Sequence, residues 1–82
     1  MKRRQEVILQ ILQWLENRES PWDGLPEKLA DPVSGNLMDA AVIRYHVDLC
    51  EQAGFIRMNG ARQPQIQLTW KGHEELEARR SR

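Results

Sequence analysis

Two pairs of side chains have the spacing that a metal site on a helix would use. His46 and Cys50 lie four residues apart, which is one helical turn, and both residue types ligate zinc. His73 and Glu77 repeat this spacing closer to the C-terminal end. A structural zinc site needs four ligands, and the sequence offers no ordered second pair for either set. We therefore expect His46 and Cys50 to be core residues, and we predict no metal or other cofactor.

The sequence also carries no residue pattern that predicts catalysis. Nucleophilic catalysis needs a nucleophile with a histidine and an acid in a meaningful arrangement, and a phosphate-binding loop needs clustered glycines. No serine of this sequence stands in such an arrangement, and no glycine-rich phosphate loop is present. We predict that the protein is not an enzyme, and we infer no small-molecule substrate.

The charges balance but are unevenly distributed. Twelve Lys and Arg residues match twelve Asp and Glu residues among 82 residues. A net charge of zero counts against strong non-specific binding to DNA, which requires neutralisation of phosphates. Basic residues nevertheless cluster at both ends, as Lys2, Arg3 and Arg4 and as Arg79, Arg80 and Arg82. If the two ends meet they form a basic patch, and otherwise they are solvated termini.

The N-terminal part predicts an amphipathic helix from Gln5 to Arg18. Its apolar residues form one stripe at helical spacing, made of Ile8, Ile11, Leu12 and Leu15. A second stripe of Val7, Ile11 and Trp14 makes the apolar face wider than one small core needs. We therefore predict a homodimer that uses Val7, Ile11 and Trp14 as its interface.

The middle of the chain predicts a loop followed by a second helix. Prolines and glycines interrupt residues 19–36, where we expect a loop with a short helical turn at residues 26–30. Trp22 in this loop would either plug the core or anchor a partner. The second helix is predicted from Leu37 to Ala53, and Gly54 ends it. Its inner side would carry Ile43, Val47 and Cys50.

The C-terminal part predicts a β-hairpin and a third helix. The strands are expected at residues 55–58 and 65–68. A two-residue turn at Asn59-Gly60 would place the apolar residues of the second strand on the wrong face, because side chains alternate along a strand. Pairing Ile56 with Ile66 avoids this and leaves a five-residue tip. Thr69 would cap the last helix, which runs to about Arg80 with Trp70, His73 and Leu76 facing inward.

The order of these elements resembles that of bacterial winged helix-turn-helix repressors. These proteins commonly carry Ala-Gly-Leu-Ile after the recognition helix and Leu-Thr-x-x-Gly after the wing, and this chain has Ala53-Gly54-Phe55-Ile56 and Leu68-Thr69-Trp70-Lys71-Gly72. A closer resemblance, over about residues 5–78, is to an uncharacterised prophage-associated winged-helix family, at Ile43-x-Tyr45-His46, Ala53-Gly54 and Leu68-Thr69-Trp70-x-Gly72-His73-Glu74. The resemblance implies one winged-helix domain over residues 1–82, mainly α with a small two-stranded β wing. Residues 19–36 depart from it, because they contain no clear first helix of a helix-turn-helix.

The leading functional expectation is a DNA-binding transcriptional regulator of phage or mobile-element origin. Double-stranded DNA would be read by the second helix and the wing, with phosphate contacts from the N-terminal end. The predicted DNA-binding residues are Arg44, Tyr45 and Ala41 on the helix, Arg57 and Arg62 on the wing, and Lys2, Arg3 and Arg4 at the end.

The alternative expectation is a winged-helix module that binds a protein and no DNA, for example a small phage protein that blocks a host factor. The zero net charge favours it, and so do Asp39 and Asp48, which would repel phosphate on the face of the second helix. The single cysteine indicates a cytoplasmic protein, and no apolar run is long enough to cross a membrane.

Overall fold

A computed structural model describes residues 2–18, 23–24, 26, 28–60 and 65–80. The elements in chain order are α1 (Gln5–Asn17), β1 (Asp23–Gly24), α2 (Ala40–Gln52), β2 (Ile56–Asn59), β3 (Gln65–Leu68) and α3 (Trp70–Arg80). The protein is mainly helical with a small β-hairpin, and this architecture is compatible with a winged helix. The predicted positions of Trp22 and Arg62 lie outside the described residues.

Helix α1 forms the centre of the core, because it contacts α2, α3 and β3. Val7 and Ile11 are both 0% exposed within the single chain. Our prediction that these two residues face a second copy is therefore wrong, since the wide apolar face of α1 is covered by three elements of its own chain. Trp14, the third residue of that stripe, is partly buried against the core and carries the Arg18 guanidinium over its ring at 5.0 Å.

The hairpin strands pair in a register that differs from the predicted one by two residues. Ile56 pairs with Leu68 and Met58 pairs with Ile66, whereas we expected Ile56 opposite Ile66. A shift of two leaves every side chain on its predicted face, because alternation along a strand has a period of two. Ile56 and Ile66 are accordingly buried in the core.

The sheet has a third strand that the sequence analysis did not predict. Strand β1 lies antiparallel to β3, with Gly24 opposite Gln65, so that the strand order is β1-β3-β2. The Arg18 guanidinium supports this edge, since it donates to the carbonyls of Gly24 (3.0 Å) and Ile66.

The segment before α2 is a small turn and contains no helix at its described residues, 26 and 28–39. The predicted helical turn at residues 26–30 is therefore not found there. Ala30 and Leu37 instead form an antiparallel bridge, and the Met38 N–H donates to the Leu29 carbonyl at 3.0 Å. This pairing holds Leu37 in extended backbone, which explains why α2 begins at Ala40 and not at Leu37.

The two motifs that flank the hairpin contact each other. The Thr69 hydroxyl donates to the Gly54 carbonyl at 2.6 Å and accepts the Gly72 N–H at 3.1 Å, while the Thr69 N–H donates to the Phe55 carbonyl at 3.0 Å. A Cβ atom on Gly72 would lie 2.2 Å from the Phe55 oxygen. Gly54 has a φ of +84°, which favours glycine. These motif residues therefore close the base of the hairpin onto α3.

Candidate nucleic-acid interface

The outward side of α2 carries most of the residues predicted to read DNA. Ala40, Ala41 and Arg44 are exposed, and half of the Arg44 side-chain surface is accessible. The Arg44 Nε atom donates to Asp48 Oδ1, one helical turn further along, at 3.1 Å. Exposed pairs of this kind contribute only about 0.3–0.5 kcal/mol, so a phosphate or base edge could replace the carboxylate. Arg44 is thus exposed to solvent, and its guanidinium is paired with Asp48.

Tyr45 lies at the border of this exposed side. Its ring is half-buried and meets the His46 ring edge-on, with centroids 5.2 Å apart. His46 itself is buried, accepts the Arg4 backbone N–H at Nε2 (3.1 Å) and contacts the Val42 carbonyl through Nδ1 (2.8 Å). Because a backbone N–H can only donate, Nε2 must be the acceptor and Nδ1 must carry the proton. His46 is therefore a hydrogen-bonded core residue.

Arg4, predicted as a phosphate contact, is paired with carboxylates of its own chain. Its guanidinium forms a two-pronged contact with the Asp31 carboxylate, at 2.6 and 3.0 Å, and also donates to Glu6 at 3.0 Å. These hydrogen bonds hold the pKa of Asp31 well below its usual range and raise that of Arg4. Arg4 therefore connects the turn at residues 30–37 to the start of α1, and its assignment as a phosphate contact stays a prediction. Lys2 and Arg3 remain exposed.

The two basic ends meet in space, but their charges are partly neutralised. Arg3 and Arg79 line one groove of about 470 Å³ between α1, α2 and α3. Arg79 donates to Glu75 at 2.7 Å and to Gln5 at 3.2 Å. Arg80 is paired with Glu16. Arg3 and Arg79 are thus brought together at one groove, whereas Arg80 lies against Glu16 near the C-terminal end of α1.

The outer face of the hairpin is polar. Arg57 and Asn59 of β2 stand opposite Gln67 and Gln65 of β3, and the Arg57 Nη2 atom donates to Gln67 Oε1 at 3.1 Å. Arg57 is exposed, as a wing contact requires. The predicted tip contact, Arg62, lies outside the described residues.

Trp70 and His73 were predicted to face inward, and both are exposed. Trp70 is 80% exposed and lies beside a hollow of about 350 Å³, whose lining also includes Arg57, Gln67 and Thr69. Gly72 and Leu76, four residues apart, form the buried side of α3, and this spacing is the signal that could have placed Trp70 outside.

Acidic and apolar groups border the start of α2. Asp39 precedes the helix, is exposed, and makes no side-chain capping hydrogen bond. Val33 and Leu37, in the turn just before it, are 76% and 71% exposed. Neither feature attracts phosphate, and two exposed apolar side chains are available for contact with a protein.

Neither a metal site nor a membrane span is found in the described part of the chain. At residues 2–18, 23–24, 26, 28–60 and 65–80, no three His, Cys, Asp or Glu side chains form a group that could hold an ion. None of the helices described there has the length and apolar character needed to cross a membrane.

Comparison with known proteins identifies a family. No curated protein and no solved structure matches the chain. Residues 2–82 match a family of hypothetical proteins designated DUF2513. The match spans nearly the whole sequence, so the chain belongs to the DUF2513 family.

Proposed function

We propose that the protein binds double-stranded DNA through the outward side of α2, as a winged-helix transcriptional regulator. The observation that carries this proposal is the exposed side of α2, where Arg44 projects beside Ala40 and Ala41 on a helix that leads directly into a β-hairpin. A major groove admits an α-helix, and small side chains next to an arginine allow close approach to the base edges. The assignment to a phage or mobile element rests on the resemblance described above.

Arg44 is the group proposed to make sequence-dependent contacts. Its present acceptor is Asp48, on the same exposed side and accessible to solvent. Binding would exchange this carboxylate for a guanine edge or a phosphate, and arginine suits both because its donors form a planar fork. Asp48 then acts as a competitor for Arg44 and as a source of repulsion towards the phosphates.

Phosphate contacts are assigned to the exposed cations that flank the helix. Lys2 and Arg3 lie just before α1, and the Arg4 backbone bond to His46 holds this segment against α2. Arg57 lies on the outer face of the hairpin. These three contacts, and a fourth if Arg44 also reaches a phosphate, would give a binding that depends on salt despite a net charge of zero.

The opposite roles of Arg44 and Asp48 permit a test in which two variants must shift affinity in opposite directions. Binding to a mixed-sequence duplex is measured by fluorescence anisotropy at low salt for the wild type, Arg44→Ala and Asp48→Asn. Arg80→Ala is the matched control, since it removes one arginine of α3 from an ion pair with Glu16 of α1. We expect Arg44→Ala to bind more weakly than Arg80→Ala and Asp48→Asn to bind more tightly than the wild type.

Sequence preference is tested by selection from a randomised duplex library. The wild type should enrich a defined sequence, and Arg44→Ala should lose roughly 1–3 kcal/mol of discrimination against the wrong base. Equal affinities of the Arg44→Ala and Arg80→Ala variants, together with no enrichment by the wild type, would remove α2 as the reading element.

A protein partner is the second candidate, and the start of α2 favours it. Val33 and Leu37 are exposed in the segment that leads to the exposed Asp39, and this composition suits a protein surface with an apolar depression and a basic rim. In this case the wild type shows no affinity for duplex DNA at low salt, and neither Arg44→Ala nor Asp48→Asn changes that result.

A further inference from the structure

The surface around Trp70 combines a protrusion and a hollow on one face. The indole ring is 80% exposed at the start of α3. The hollow of about 350 Å³ beside it is formed with Arg57 and Gln67 of the hairpin and with Leu68 and Thr69. This volume lies within the range of clefts that accept small organic groups.

A protrusion next to a hollow can be complementary to a copy of itself, as a two-fold interface requires. In such an interface the same patch on each copy contacts itself, so a knob on one copy must meet a hole on the other. We infer that the protein forms a symmetric homodimer in which the Trp70 ring of each copy fills the hollow beside the Trp70 of the other.

The charges around Trp70 fit a second copy. The Trp70 Nε1–H donates to Glu74 on the outer side of α3, while the cation Arg57 lines the hollow. The patch thus carries one acidic and one basic group, and a two-fold axis can place each opposite its counterpart. A strongly basic or strongly acidic partner would be complementary in charge to only one of these two groups.

The area involved indicates a weak dimer. One tryptophan buries about 150–250 Å², so two rings supply less than half of the roughly 1,000 Å² that a specific interface needs. The rest would come from the surrounding outer face of the hairpin. We therefore expect association in the micromolar range, visible at concentrations up to about 1 mM.

Sedimentation velocity over a concentration series tests the inference. The wild type should shift from monomer to dimer, Trp70→Ser should stay monomeric, and Trp70→Phe should dimerise more weakly than the wild type. Leu37→Ser is the matched control, because Leu37 is 71% exposed in the turn before α2 and is not one of the residues that line the Trp70 hollow. This variant should dimerise like the wild type, and thermal unfolding confirms that each variant is folded.

Each alternative result overturns the inference. A wild type that stays monomeric up to about 1 mM shows that the face does not bind a second copy. A dimer that survives Trp70→Ser, or is lost in Leu37→Ser, assigns the interface to another surface. Arg57 also lines the hollow, so a Trp70 dimer would withdraw it from phosphate. The DNA titrations are therefore run at protein concentrations below those at which the dimer forms, where failure of the dimer and failure of DNA binding are distinguishable. Weaker DNA binding by a monomeric Trp70→Ser variant, with a wild type that is also monomeric, would assign Trp70 to nucleic acid.

Discussion

The two sides of α2 differ in what holds their residues in place. On the inner side, Ile43, Val47 and Cys50 are almost fully buried against the core. On the outer side, Arg44 and Asp48 are held only by one exposed ion pair. Neighbouring positions of one helix thus serve different purposes, since Ile43 maintains the fold and Arg44 is available for a ligand. The same contrast occurs on α3, where Gly72 is buried and Trp70 is exposed.

The largest expected effect comes from the inner side of α2. Ile43→Ala should lower the free energy of unfolding by roughly 2–5 kcal/mol, because it removes buried methyl groups and leaves a cavity. Its neighbour provides the matched control, since Arg44→Ala changes an exposed residue and should stay within about 0.5 kcal/mol of the wild type. Urea unfolding followed by circular dichroism measures both. Equal losses in the two variants would contradict the division of α2 into two sides.

The contrast on α3 predicts the next largest effect. Gly72→Ala should destabilise the protein by about 1–3 kcal/mol, because the new Cβ meets the backbone oxygen of Phe55 and the base of the hairpin must shift. Trp70→Ser, two residues earlier, should change the unfolding free energy far less. Thermal unfolding compares the two variants with Gly24→Ala, where an added Cβ has no atom within 4 Å. A Gly72→Ala protein as stable as Gly24→Ala would show that the close approach is relieved without cost.

Hydrogen exchange and acid titration test the contact between Arg4 and Asp31, here called the clamp, which holds the turn before α2. The pKa of Asp31 lies well below its usual range because Arg4 and the N–H groups of Val33 and Ser34 donate to it. A carboxyl group with a lowered folded-state pKa stabilises the protein above its unfolded pKa, about 3.9, and this contribution is lost as the pH falls below that value. Asp31→Asn should therefore be less stable than the wild type at pH 7, and the difference should shrink below about pH 4.

Two results would contradict this account of the clamp. One is a stability difference between the wild type and Asp31→Asn that does not change with pH. The other is unchanged exchange of the backbone N–H groups at residues 33–35 in Asp31→Asn, since these groups lie in the turn that the clamp holds.

The smallest expected effect is the reaction of the Cys50 thiol, on the inner side of α2, with a labelling reagent. Burial raises the pKa of this thiol to about 12, so almost no thiolate exists near pH 7. A thiol reagent should label Cys50 only after unfolding by urea, and the native protein should show no rapid phase. Fast labelling of the native protein would mean that the inner side of α2 opens to solvent.

The sequence predicted those parts of the fold that depend on the periodic spacing of apolar residues. Apolar spacing placed the three helices to within three residues, and it assigned Ile43, Val47 and Cys50 to the core. The same reasoning could not detect a hairpin register shifted by two, because each side chain keeps its face in either register. Strand β1 has only two residues, and its existence depends on the exposed edge of β3, more than forty positions away.

The candidate site was harder to predict, because it depends on contacts between distant residues. Nothing in the sequence near Arg4 indicates Asp31 as its acceptor, 27 residues away. Trp70 was placed inward because of its apolar side chain, although the helical spacing of Gly72 and Leu76 puts it on the opposite side. The exposed position of Arg44 was predictable, since it follows from the phase of the inner residues of the same helix.

The salt dependence of DNA binding tests the central claim most directly. The wild type is titrated against a mixed-sequence duplex at salt concentrations from about 50 to 200 mM. Contacts from Lys2, Arg3, Arg44 and Arg57 would neutralise three or four phosphates, so the logarithm of the binding constant should fall with the logarithm of salt with a slope of about −3. Arg44→Ala should reduce the magnitude of this slope by about 1 if Arg44 contacts phosphate. No binding at the lowest salt, or an affinity that does not change with salt, would contradict the proposal that α2 and its flanking cations bind DNA.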